Sequence, residues 1–121
     1  MTGDSSRHGA RTAPDAVRML ERDRDELVGF GQRCRMRRVE WEEATRLARR
    51  ALGMAAEGFR SPHSEMPYVL DRFEEATRMR ADALDDEEAA VARDIARIDG
   101  ELRRERTRLR VEQSDFEGGL R

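Results

Sequence analysis

Few side chains in this sequence could do chemistry, and their surroundings decide what each could do. His8 lies in a small, polar stretch and His63 in a cluster of helix breakers, so neither stands on a helix face beside a second His or Cys as a zinc ligand would. Cys34 is the only cysteine, which excludes an internal disulfide; its place in an apolar stripe reads as a small buried hydrophobe in a reducing compartment. Four consecutive acids, Asp85-Asp86-Glu87-Glu88, point around a helix rather than toward one cation, so they read as a solvated face, with an electrostatic docking patch as the alternative. The basic clusters Arg33-Cys34-Arg35-Met36-Arg37-Arg38 and Arg103-Arg104-Glu105-Arg106-Thr107-Arg108 suggest phosphate, yet acids are interleaved around them and no aromatic platform lies within either. They read as solvated face or pairing between helices, with an acidic protein or nucleic acid as alternatives. Catalysis needs converging groups in a pocket that excludes water. The sequence offers no such set, so the expectation is no enzyme, no cofactor and no metal.

The elements that would carry these residues follow from hydrophobic spacing. Leu84, Glu88, Val91, Ile95, Ile98, Leu102, Glu105, Leu109, Glu112 and Phe116 return every three or four residues, one narrow stripe on one helix. Upstream, Leu20, Leu27, Cys34, Trp41, Ala48 and Ala55 recur every seven residues and supply the facing stripe. The predicted seam is therefore Leu20, Leu27, Cys34 and Trp41 against Leu84, Val91, Ile95, Ile98, Leu102 and Leu109. Between the stripes lies the breaker cluster Ser61-Pro62-His63-Ser64-Glu65-Met66-Pro67. The predicted fold is all-α, a long antiparallel two-helix coiled-coil hairpin. Its domain spans 13–117, with helix one over about 14–59, a turn over 60–66 and helix two over about 67–117. Residues 1–12 and 118–121 are read as tails.

Composition fits that outline. Charged residues make up 41% of 121 and aromatics 5%, too few large side chains for a broad core. Residues 1–60 hold 13 Arg against 10 acids (+3), and residues 61–121 hold 11 against 16 (−5), so the two arms attract one another and no net basic face is left for nucleic acid. There is neither an apolar run long enough to span a bilayer nor a basic start followed by an apolar segment, so a cytoplasmic protein without membrane insertion or a cleaved export signal is expected. Glu42 with Arg46, Glu74 with Arg78 and Asp99 with Arg103 fall at i,i+4 and are expected to pair along the helices. Gly29 and Gly31 predict a bend or fraying in helix one. With the turn centred near residue 64, position i faces about 127 minus i; Gly100 then faces Leu27, and close backbone approach or a soft joint is expected there.

Phe59, Met66, Tyr68, Val69, Leu70 and Phe73 gather large apolar groups at the predicted turn, where a hairpin has least surface to bury them. Two readings stand: a cap that closes the tip, or a sticky end for a partner. The tip residues Phe59, Met66, Tyr68, Leu70 and Phe73 are the candidate partner-binding group.

The stretch Tyr68-Val69-Leu70-Asp71-Arg72, followed by Arg78 and Leu84, resembles the start of the second helix in the SpaM/InvI group of type III secretion proteins, relatives of YscO and FliJ. The Arg33-Cys34 pair and the Glu42-Glu43 double acid in the first helix are similar in layout, and the likeness covers roughly residues 17–117. It implies a two-helix stalk whose terminal end enters the hexameric export ATPase ring and whose other end meets the export gate, some members also handling secretion chaperones. Carried over, the paired termini, with Arg18, Arg22, Arg106 and Arg110, would face the ATPase, and the tip with Tyr68 and Phe73 the gate, peripheral to the inner-membrane apparatus. The glycines and the short length depart from longer members of the family. Two other readings stay open: a helical targeting partner or chaperone of a secreted toxin, as in type VII systems, and an Arg-rich nucleic-acid-associated regulator.

Overall fold

The structure is a computed structural model that describes residues 13–59, 61 and 63–119. The protein is an all-α helical hairpin of two helices, α1 (Ala13–Gly58) and α2 (Met66–Gly119). The tail expected over 1–12 lies outside the described residues. Gly118 and Gly119, expected in a C-terminal tail, belong to α2. No glycine among the described residues takes a positive φ, so neither acts as a left-handed cap.

The turn shows how the sequence starts α2. Ser64 Oγ accepts the Met66 N–H at 3.1 Å, and the Val69 N–H donates to the Glu65 carbonyl at 3.0 Å, the first bond of the helix. Of the two serines able to cap, Ser64 does so, and Pro67 falls within the first turn, where its missing N–H leaves no bond unmade. Ser61 tightens the loop by accepting the Ser64 N–H on its carbonyl (3.0 Å) and the His63 N–H on its hydroxyl (3.2 Å). Helix one ends one residue before, and helix two begins one residue before, the sequence-based bounds.

The hairpin comprises two packing units. One joins Gly31–Phe59 of the α1 side to the turn and the α2 segment up to Ala90; the other joins the earlier part of α1, up to Phe30, to α2 from Val91 onward. In the first unit Cys34 and Leu84 are buried, at 1% and 3% exposure, with Trp41, Ala48, Ala55, Phe73, Thr77 and Ala81 half-buried. In the second, Val91, Ile98 and Leu102 are buried and Leu20, Leu27, Ile95 and Leu109 half-buried. The core is thin, as few and slender apolar residues require. Phe116 lies among residues whose side chains are outside the description.

Three expectations need correction. Helical structure runs through Gly29 and Gly31 without interruption, so there is no fraying; long flanking helix absorbs about 1 kcal/mol per glycine because propagation is cooperative. A methyl group added at Gly100 would meet only the Arg104 and Arg103 guanidiniums, at 3.6 and 3.8 Å, so no close approach to α1 occurs there. The register also shifts at several pairs: Arg24 with Asp99, Arg38 with Asp85 and Arg49 with Glu74 place position i opposite about 123 minus i, because the loop sits earlier in the chain than assumed, whereas Arg106 with Glu21 keeps the expected 127 minus i.

Candidate functional site

Two features stand out from the helix pair: a ladder of charge pairs between the helices and an apolar turn. The ladder begins with Arg38, half-buried at a seam position on α1, which donates through Nε to Glu88 at 2.5 Å and through Nη2 to Asp85 at 2.6 Å, with Glu42 at 3.8 Å. The preceding residue, Arg37, donates through Nη2 to Glu87 Oε1 at 2.9 Å, and the buried Cys34 thiol, one turn before Arg38, donates to that same oxygen at 2.7 Å. Arg37 also reaches the Cys34 sulfur at 3.3 Å. Nearer the turn, Arg49 forms a bidentate pair with Glu74, both contacts 2.8 Å, and its guanidinium lies 5.8 Å from the centre of the Phe73 ring. The second unit holds Arg24 to Asp99 at 2.6 Å and Arg106 to Glu21 at 3.2 Å.

This geometry revises the sequence-based pairing. Asp99 binds Arg24 rather than Arg103, Glu74 binds Arg49 rather than Arg78, and Arg46 bonds Glu43 at 2.5 Å. The first two partners lie on the facing helix, and the third lies one turn away on the same helix. The acidic run is likewise not simply solvated, since Asp85, Glu87 and Glu88 all bond α1. Position 88 falls on the same stripe as Leu84 and Val91, which brings its carboxylate to the seam. In the second unit Glu105 is half-buried, with one oxygen near Arg108 at 3.4 Å and the other lacking a partner.

The bonds set a pH response. The Cys34 thiol, then Arg37, hold Glu87 below the usual carboxylate range, and Arg49 does the same to Glu74. Glu87 and burial together push the Cys34 thiol up. For the two carboxylates the unfolded chain binds more protons on the acid side, so their contribution is complete above about pH 4.5 and disappears as pH falls through the folded values. For Cys34 the folded chain keeps its proton longer, so its contribution is complete below about pH 9.0 and disappears as pH rises through the folded value. Thermal melts by circular dichroism should show a plateau between these limits, with the midpoint falling on both sides. Cys34→Ser should remove the alkaline fall and spare the acid one; an alkaline limb unchanged in that variant would contradict the assignment.

At the turn, Phe59 and Tyr68 are 63% and 65% exposed and Val69 is exposed, whereas Met66, Leu70 and Phe73 are half-buried. Phe59, His63, Glu65, Met66 and Val69 line an open concavity of about 310 Å³, and Ala56, Pro67 and Leu70 border a second beside it. The two alternatives read from the sequence thus divide among the residues: Leu70 and Phe73 pack inward, and Phe59 and Tyr68 face water. The terminal-end candidates Arg18, Arg22, Arg106 and Arg110 are exposed; Arg18 pairs with Asp15, and Arg106 with Glu21.

Sequence spacing missed Arg38 as a seam residue and missed Phe73, Thr77 and Ala81 as the stripe's continuation toward the turn. The three- and four-residue intervals back from Leu84 were the available signal. Among the described residues no helix is long and apolar enough to cross a membrane, and no three His, Cys, Asp or Glu side chains are grouped to hold a metal ion. Set beside protein-family models, curated proteins and solved structures, the chain matches none of them.

Proposed function

We propose that this chain is a non-enzymatic adaptor of a bacterial type III export apparatus, a helical hairpin that bridges the hexameric export ATPase and the export gate. The observation that carries the proposal is the pair of exposed aromatics at the turn, Phe59 and Tyr68, the first of which lines an apolar concavity. A hairpin gains nothing from large apolar groups left in water, and such a concentration suits a groove on a larger protein. The layout of Tyr68-Val69-Leu70-Asp71-Arg72 at the start of α2 supports the gate as that protein, through its likeness to the SpaM/InvI group. Toward the two chain termini, exposed Arg22 and Arg110 offer cations to the ATPase ring. The ladder weighs against nucleic acid: Arg37, Arg38 and Arg106 already donate to carboxylates, and releasing them would cost the helix pairing.

Replacing Phe59 and Tyr68 together by Ala should leave helicity and melting unchanged, because neither is packed. Capture of the gate's cytoplasmic domain should weaken by about tenfold or more per residue removed. Phe73→Ala alone would confuse the result, since Phe73 lies beneath Arg49 and its loss disturbs the hairpin. Equal gate capture by the parent and the double variant would reject the assignment of the turn.

A further inference from the structure

The seam leaves the far side of α1 bare. At about 100° per residue, positions 33, 36, 40, 43, 47, 50, 54 and 57 fall opposite the seam positions 34, 41, 48 and 55. They repeat at intervals of three and four, and every one of them is exposed. Three of them, Met36, Leu47 and Met54, and the neighbouring Val39 are apolar and 51–68% exposed. This second stripe has the spacing of a helix seam and, among the described residues, no helix upon it.

We infer that a second copy of this chain docks on this outer stripe, with the two α1 helices antiparallel about a twofold axis near residue 45. The order of residues along the stripe carries the inference: Arg33, Met36, Glu40, Glu43, Leu47, Arg50, Met54, Glu57. Read against its own reverse, it sets Arg33 opposite Glu57, Met36 opposite Met54, and Glu40 opposite Arg50. Each charged layer meets its opposite and each methionine meets a methionine, and an isologous contact repeats every such pair twice. Only the central layers place Glu43 against Leu47, and there Arg46 of the same chain already holds Glu43 at 2.5 Å. A parallel, in-register pair would oppose like charges at Arg33, Glu40, Glu43, Arg50 and Glu57, which excludes it. The occupant is therefore specified by self-complementarity rather than by apolarity alone.

The contact runs over about 25 residues of one helix, and a dissociation constant in the micromolar range is expected. It lies on a different face from the turn, so it stands whether or not the gate is the partner there.

Sedimentation equilibrium of the full chain from about 1 μM to 1 mM should show the mass rising toward twice that of one chain. Glu40→Arg and Arg50→Glu should each weaken association about tenfold or more with unchanged circular dichroism, since both positions are exposed. Glu40→Arg combined with Arg50→Glu should restore it, because the swapped layer is again complementary. Mixing Met36→Cys chains with Met54→Cys chains under mild oxidation should give a mixed disulfide in preference to either like pair. A monomer at every concentration overturns the proposal and leaves the stripe to a different protein. Failure of the double swap to restore association, or cross-linking between like variants, overturns the antiparallel register.

Discussion

Leu84→Ala should lower the unfolding free energy by about 2–4 kcal/mol, and Leu84→Asp should abolish the cooperative thermal transition of the helices around the turn. The first figure is the usual range for truncating a buried leucine. Leu84 is 3% exposed, and only Cys34 shares that degree of burial in its unit, so there is little neighbouring core to collapse into the cavity. A total stability on the order of 5–15 kcal/mol makes such a loss a large fraction of the whole. The aspartate would place a carboxylate beside Asp85, Glu87 and Glu88 with no further guanidinium to meet it. Urea and thermal melts at 222 nm measure both. Met79→Ala is the control, because Met79 is exposed and should shift stability by no more than about 0.5 kcal/mol. A Leu84→Asp protein that melts as sharply as the parent would refute the seam.

The second large effect belongs to Arg38. Arg38→Glu should depress the melting midpoint more than the same reversal at any other arginine of the chain. Its side chain is 20% exposed, far less than the arginines paired on the surface, and three carboxylates surround it. Reversal leaves those acids without a cation and adds a fourth. Arg46→Glu, which breaks only the exposed pair with Glu43, sets the scale of a surface contact. Adding Glu88→Arg to Arg38→Glu should recover part of the lost midpoint, since it rebuilds the shortest contact in reversed polarity. Equal midpoints for the Arg38 and Arg46 reversals would show that the ladder is ornamental.

The sequence made the helices and the later half of the seam legible. Leu84, Val91, Ile98 and Leu102 recur at seam intervals and are all buried, and the seven-residue recurrence marked Cys34 and Trp41 on the partner helix. The earlier half of the α2 stripe was hidden because Thr77 and Ala81 are small or polar and give periodicity little amplitude. Arg38 was hidden for a related reason: charge normally marks a solvated position, and a guanidinium at the seam is recognisable only once its carboxylates are known to face it. Those partners depend on register. A turn placed about two residues late moved predicted cross-helix neighbours such as those of Arg24 and Arg49 by about one helical turn, which is why local i,i+4 pairs looked like the better partners for Asp99 and Glu74. At the turn, composition marked the apolar group but could not say which members face inward. That division follows from where Ser64 caps α2 and from the Arg49 guanidinium over Phe73.

The ladder also has a prevailing direction: in Arg24–Asp99, Arg37–Glu87, Arg38–Glu88 and Arg49–Glu74 the cation comes from α1 and the anion from α2, and Arg106–Glu21 alone of the pairs described above runs the other way. Each helix therefore finds its like-charged twin an unwelcome substitute along that seam. During synthesis, when many identical chains crowd one another, this polarity discourages two first helices from zipping together by the wrong side and reserves the inner face for the strand of peptide that follows.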